Sequence, residues 1–112
     1  MTIRTFTALA SAARTTSGTV DLDAVPSEYQ ELSVYLDVTA TSGTSPSMTV
    51  TYQSSPDGVT FFDNTAGAAI TAVGKQLIKV PSTIGGYGRL SYAISGTTPS
   101  FTFSAVAEYK RS

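Results

Sequence analysis

The polar residues best suited to chemistry in this chain lie in one short stretch, Tyr52 to Asn64, with the sequence YQSSPDGVTFFDN. It holds two carboxylates, Asp57 and Asp63, among hydroxyl and amide side chains that could bind a cation. A calcium loop needs oxygen ligands in the pattern D-x-D-x-D-G, and this stretch lacks that spacing. Because Pro56, Asp57 and Gly58 are typical of a tight turn, we predict a three-residue hairpin loop closed by Gly58 in the left-handed conformation.

Residues for ordinary enzyme chemistry are scarce elsewhere. The chain has no His and no Cys, which removes the commonest general base, the thiolate nucleophile and the thiolate metal ligands. Asp21 and Asp23 are the closest acidic pair, and we expect them on one solvated face of a strand. The glycine-rich stretch 85–88 is followed by neither a Lys-Ser/Thr pair nor a helix, so it does not predict a phosphate loop. We therefore expect no enzyme activity, no cofactor and no metal.

Length and charge limit the other classes. At 112 residues the chain is expected to form a single domain, 1–112. Seven basic and eight acidic residues are scattered, which argues against a nucleic-acid partner, and no apolar run is long enough for a membrane-spanning helix. The apolar run from Phe6 to Ala13 is short and interrupted by Thr7 and Ser11, so we expect this segment to belong to the mature protein, not to a secretion signal.

Alternation of apolar and polar residues indicates strands. In Leu32 to Ala40 every second residue is apolar, as expected of a half-buried strand. The same pattern recurs in 48–53, 89–94 and 101–109, with shorter candidates at 3–9, 19–22, 60–63, 68–73 and 76–80. About eight short strands predict an all-β antiparallel sandwich of jelly-roll or immunoglobulin-like type.

An internal repeat links these strands. Residues 40–51 and 93–104 match at seven of twelve positions and share the sequence Ser-Gly-Thr-x-Pro-Ser. We expect Gly43 and Gly96 to bend the chain, and Pro46 and Pro99 to keep the last loop residues out of the ladder. Two equivalent corners of one sandwich is the simpler interpretation, and a duplicated binding loop is the alternative.

Three aromatic residues are candidates for exposed contacts. Phe61 and Phe62 are adjacent, so in a strand they would point to opposite faces, and Tyr35 lies on the polar face of its strand. An exposed aromatic side chain can mark a protein or sugar contact. The alternative is that these rings cover a second sheet or fill loop space.

Three segments together resemble a family of small virion-associated proteins of tailed bacteriophages and prophages. They are 10–18, then 36–46 running into the Ser-Pro-Asp-Gly-Val-Thr of 55–60, and 94–104. These are turn-and-strand sequences and carry no catalytic residues. The resemblance implies a structural role on the particle, as a decoration or cement protein that binds the capsid exterior after synthesis in the host cytoplasm, without secretion.

The resemblance also implies partners, namely the major capsid protein and further copies of this chain, such as a homotrimer at a capsid symmetry axis. Residues 1–18 would then serve as an assembly arm, with Arg4, Phe6 and Arg14 making contacts. The alternative is a carbohydrate-binding or adaptor module of a phage tail or fibre, which would use an aromatic platform from Tyr35, Phe61 or Phe62.

Overall fold

A computed structural model describes residues 2–22, 31–80 and 87–111, and within them the chain is all-β. The strands pair antiparallel throughout, which confirms the predicted all-β antiparallel class. They are β1 (Thr2–Arg14), β2 (Gly18–Asp21), β3 (Glu31–Ser55), β4 (Phe62–Ala66), β5 (Gly74–Val80) and β6 (Tyr87–Arg111).

The two longest strands, β3 and β6, form the centre of the sheet. They have 25 residues each and pair with one another from Glu31–Lys110 to Ser55–Tyr87. The first half of the sheet consists of β1, the carboxy-terminal part of β6, the amino-terminal part of β3, and β5. The second half consists of β2, the amino-terminal part of β6, the carboxy-terminal part of β3, and β4.

The sheet folds over on itself. A straight strand of 25 residues would span roughly 80 Å, whereas the longest dimension of the structure is 43 Å. Tyr92 and Phe103 would lie roughly 36 Å apart along a straight β6, yet their ring centroids are 5.5 Å apart in an edge-to-face contact. The two halves therefore face each other and make a sandwich-like fold.

The strand count differs from the expected eight, because the described residues contain six strands, two of them long. The repeat loops do not end the ladder but bend it, since Thr44 and Thr97 still pair across the two corners. Gly43 and Gly96 absorb the bend with φ angles of 107° and 124°. Residues 68–73, expected as a strand, contribute only one bridge, between Ile70 and Met48.

The amino-terminal segment is a strand of the sheet and not a separate arm. β1 pairs with β6 from Thr2–Arg111 to Arg14–Phe101. The strand expected at 3–9 is therefore confirmed, and it continues to Arg14. Register shifts between Thr7 and Ala12 add residues to β1 and change which side chains face the core, so alternation does not reveal this continuation. Residues 2–14 are therefore part of the sheet, and the role of 1–18 in assembly stays a prediction.

The core lies between the two halves and is built by alternate residues of β3 and β6. A single polar side chain, Ser55, is fully buried among the described residues. No helix capable of crossing a membrane occurs in the part of the chain that the structure describes. The buried apolar residues are Leu22, Leu32, Val34, Leu36, Val38, Met48, Val50, Tyr52, Ile78, Val80, Leu90, Phe101, Phe103, Ala105, Ala107 and Tyr109.

Candidate interaction surface

The outer face of the first half carries an apolar row across three strands. Because side chains alternate along β3, Val34 and Leu36 point into the core and Tyr35 between them points outward. Tyr35 pairs with Leu77 of β5 on one side and with Val106 of β6 on the other. Tyr35 and Leu77 are 43% and 44% exposed. We call Tyr35, Leu77 and Val106 the outer-face stripe.

Charged residues lie on both sides of this stripe. On one side, Lys75 Nζ is 3.3 Å from Asp37 Oδ1. On the other, the Tyr35 hydroxyl donates a hydrogen bond to Glu108 Oε1 at 3.3 Å, and Lys110 Nζ lies 3.9 Å from the same oxygen. An apolar centre with a charged rim is the usual composition of a protein–protein contact.

A partly open depression of about 450 Å³ adjoins the stripe. Its charged lining residues are Lys75 and Asp37, which form an ion pair with each other. The described residues contain no group of three or more His, Cys, Asp or Glu that could hold a metal ion. The lining thus combines the side chains of the outer-face stripe with this one ion pair.

Sequence reasoning identified Tyr35 but missed Leu77, Val106 and Lys75. In β5 the inward residues are Ile78 and Val80, so Leu77 lies on the same outward face as Lys75. This alternation is readable from the sequence. The cross-strand neighbours are not, because they depend on the register between segments far apart in the chain.

The Pro-Asp-Gly segment forms a loop of six residues, Pro56 to Phe61, and not the predicted three-residue hairpin. Asp57 Oδ1 accepts hydrogen bonds from the backbone N–H groups of Val59 and Thr60, at 2.8 and 3.0 Å. These two residues are thereby held in the loop and do not enter the ladder, so β4 starts only at Phe62.

Ser55, the last residue of β3, adds further hydrogen bonds to this network. Its hydroxyl donates to Asp57 Oδ1 at 2.9 Å and accepts the N–H of Gly58 at 2.8 Å. Hydrogen bonds from the Thr60 and Val59 N–H groups and the Ser55 hydroxyl lower the pKa of Asp57. Gly58 has a φ of 79° and packs against the ring of Tyr87. The polar cluster is thus used within the loop, which favours a turn over a cation site.

The structure does not bring the three predicted platform aromatics together. Phe61 and Phe62 lie at the end of the second half, whereas Tyr35 lies in the first half. The Arg89 guanidinium sits 4.2 Å from the centre of the Phe61 ring, and Arg89 Nε donates to Gln53 Oε1 at 2.6 Å. Phe62 is 58% exposed. Because the side chains opposite Tyr35 are aliphatic, the sugar-platform hypothesis has no geometric support here.

Two of the three predicted arm contacts point inward. Arg14 donates to the carbonyl oxygens of Ala12 and Phe103, at 3.1 and 2.9 Å, and its guanidinium lies 4.7 Å from the centre of the Phe103 ring. Phe6 packs on the core and stacks on Tyr109 at 5.8 Å. Arg4 is exposed on the same strand.

The other residues considered for chemistry are only partly described. Asp21 of the acidic pair is exposed in β2, whereas Asp23 lies outside the described residues. Residues 85–86 of the glycine-rich stretch also lie outside them.

Comparison with known proteins identifies no family. No family model matches the chain, and no match was found among curated proteins. Among solved structures, the chain is similar to a protein from Bacillus endospore appendages, described as a novel family of disulfide-linked pili. The two are 19% identical, the match covers 99% of this chain and 85% of that chain, and the TM-score is 0.48. A similarity of this size does not identify a function.

Proposed function

We propose that this chain is a non-enzymatic structural protein that decorates the exterior of an assembled phage capsid and stabilises it. The observation that carries the proposal is the outer-face stripe, an apolar row on a rigid sheet with charged residues on both sides. Such a face suits another protein surface. The resemblance of the sequence to virion-associated proteins supports a phage particle as the place of binding.

The size of the face supports binding to a repeated lattice. Four strands spaced by about 4.8 Å, each exposing about 25 Å of its length, offer roughly 500 Å². A stable interface usually buries about 800 Å² on each partner, so a single contact of this size would be weak. A lattice offers many equivalent sites, and a protein that binds assembled subunits better than separated ones stabilises the assembly by mass action.

The test is the occupancy of the protein on particles made by the phage or prophage that encodes it. Heads and tails are separated, and the ratio of this chain to the major capsid protein is measured by quantitative mass spectrometry. The variants Tyr35→Lys and Leu77→Lys place a charge in the outer-face stripe and should reduce occupancy at least tenfold. The control variant Thr60→Lys changes an exposed residue of the loop in the second half and should bind as the parent does.

Melting curves of the isolated variants must remain close to that of the parent, since the altered side chains are exposed. If the chain is absent from heads, the capsid proposal is wrong. If it is present and the stripe variants bind normally, the stripe is not the docking surface.

A further inference from the structure

We propose that the amino-terminal part of β1, Thr2 to Thr7, pairs with the same segment of a second copy of this chain, so that two sheets join edge to edge. This inference does not rest on the capsid function proposed above. It rests on how the free edges of the sheet are protected.

Four strands pair on one side only within the part of the chain that the structure describes: β1, β2, β4 and β5. A free edge exposes backbone N–H and C=O groups that can pair with another chain, and proteins protect such edges with short strands, lysines or bulges. β2 and β4 have only four and five residues. β5 carries Lys75 and Lys79, which point outward at its two ends.

β1 is protected over its second part only. There the register shifts before Leu9 and again before Ala12. The Arg14 guanidinium donates to the carbonyl oxygens of Ala10 and Ala12, at 2.9 and 3.1 Å, and to that of Phe103 in β6, at 2.9 Å, so a charged side chain is held in this bulged part of β1. Bulges and a charged side chain close this part of the edge.

The first part of β1 has none of this protection. Thr2 to Thr7 runs in continuous register with β6 and contains neither Pro nor Lys. Its Thr, Ile and Phe residues favour extended structure, and Ile3 is 52% exposed. Arg4 is the one charged residue in these six positions. A regular edge with so little charge is a template for strand addition.

Two registers of self-pairing overlap the segment Thr2 to Thr7 most fully, one centred on Arg4 and one on Thr5, and the charge of Arg4 favours the second. Opposite residues in an antiparallel pair lie on the same face of the sheet. Self-pairing must therefore join odd-numbered residues with odd-numbered ones and even-numbered residues with even-numbered ones. A pair centred on Arg4 would place two like charges opposite each other, which is destabilising. A pair centred on Thr5 instead places Arg4 beside the partner's Phe6 and Ile3 beside the partner's Thr7. Arg4 already lies 5.8 Å from its own Phe6 ring, on the face where that contact would form.

The second copy is the occupant that fits this edge, because one two-fold axis makes each contact twice with the same segment. The axis stands perpendicular to the sheet, so both outer-face stripes lie on the same side of the joined sheet. Two stripes in one plane would double the contact with a flat partner.

The oligomeric state of the full chain tests the proposal, measured by sedimentation equilibrium over a range of protein concentrations. The parent is expected to dimerise. Thr5→Lys should weaken the dimer at least tenfold, because the two new charges would face each other across the axis. Within its own chain the new lysine lies opposite Glu108, so the fold should be retained. Thr39→Lys, at an exposed position of the central strand β3, is the control and should dimerise as the parent does.

Charge reversal and cross-linking test the register. A mixture of Thr5→Lys and Thr5→Glu should form the mixed dimer, since opposite charges then face each other. The chain contains no cysteine, so a single introduced thiol reports directly on proximity. Thr5→Cys should give a covalent dimer under mild oxidation, and Thr39→Cys should not. A parent that stays monomeric or forms a trimer would overturn the proposal, as would a dimer unaffected by Thr5→Lys.

Discussion

Gly43 and Gly96 each lie against the backbone of the other's loop. A Cβ atom on Gly43 would be 2.6 Å from the carbonyl oxygen of Thr98, and one on Gly96 would be 2.9 Å from that of Ser45. Ser45 and Thr98 occupy equivalent positions in the repeat and have nearly the same positive φ, 49° and 50°. The two Ser-Gly-Thr-x-Pro-Ser segments therefore form one reciprocal corner of the fold.

The pairing of the two long strands shows the same symmetry. Ser42 pairs with Ser100, and Ser47 pairs with Ser95. Ser42 is equivalent to Ser95 in the repeat, and Ser47 is equivalent to Ser100, so the two pairs are related by exchanging the two repeats. The repeat thus has a structural cause, because both glycines are needed where two bent strands cross closely. This favours equivalent corners over a duplicated binding loop.

Gly43→Ala and Gly96→Ala should each destabilise the protein by about 2–4 kcal/mol, because an added Cβ meets backbone at a positive φ. Gly74→Ala is the control for a positive φ without a contact, since the φ of Gly74 is 156° and nothing lies within 4 Å of its Cβ position, and it should cost less, about 1–2 kcal/mol. Denaturant midpoints measure all three. The double variant should cost less than the sum of the single changes, because both open the same contact. Equal costs at Gly43 and Gly74 would contradict the reciprocal corner.

Gly58→Val should destabilise the domain by about 2–3 kcal/mol, since a β-branched residue is strained at positive φ. The new side chain would also press on the Tyr87 ring, whose nearest atom is 3.3 Å from the Cβ position. Thr60→Ala keeps the backbone N–H group that donates to the Asp57 carboxylate. It should lower the free energy of unfolding by less than about 0.5 kcal/mol. Chemical denaturation of both variants checks this, and a small effect of Gly58→Val would mean that the loop can re-form without its glycine.

Stability should depend on pH through Asp57 in the acid range. Hydrogen bonds from Thr60, Val59 and Ser55 lower the pKa of Asp57 in the folded state below its value in the unfolded chain. Its contribution is therefore full above the unfolded pKa and is lost as the pH falls through the folded pKa. Denaturant midpoints measured from neutral to acid pH should show this loss, and Asp57→Asn should reduce it. An unchanged acid profile in Asp57→Asn would show that other carboxylates cause the loss.

Much of the sheet could be predicted because its strands are buried on one face. Every second residue of 32–40 and of 101–109 is apolar, and the structure places most of these residues in the core. The glycine and proline residues of the repeat also indicate where the chain bends. Sequence alone could not reveal that these corners bend two continuous strands, because pairing across a bend depends on contacts between distant segments.

The candidate surface was less predictable for the same reason. Tyr35 was visible as an aromatic residue on a polar face, but its neighbours Leu77 and Val106 come from strands 42 and 71 residues further along the chain. The first part of β1 was visible as the candidate strand 3–9, but its continuation to Arg14 was hidden by the register shifts after Thr7. The function of Asp57 was only partly visible, because turn propensity does not show that its carboxylate holds the N–H groups of two later residues.

Deletion of residues 1–8 should lower the melting temperature strongly, since β1 is part of the sheet. The deletion removes Phe6 from its stack on Tyr109, and it removes the neighbour of β6 on one side, so that the end of β6 pairs only with β3. Loss of Phe6, which is partly buried against the core, should alone cost up to about 3 kcal/mol. Ile3→Thr, at an exposed position of the same strand, should change stability little. A truncated protein that melts like the parent would restore the interpretation of this segment as an assembly arm.

Arg14→Ala should destabilise the protein by about 1–3 kcal/mol, because three carbonyl oxygens lose a charged donor and the Phe103 ring loses its cover. Arg14→Lys should recover little of this, since one ammonium group cannot reproduce the planar guanidinium that both stacks and donates in several directions. Lys75→Ala is the matched control, because its ion pair with Asp37 is exposed and should contribute about 0.5 kcal/mol or less. If Arg14→Ala is as stable as Lys75→Ala, the contacts of Arg14 with these carbonyl oxygens and with the Phe103 ring do not stabilise the fold.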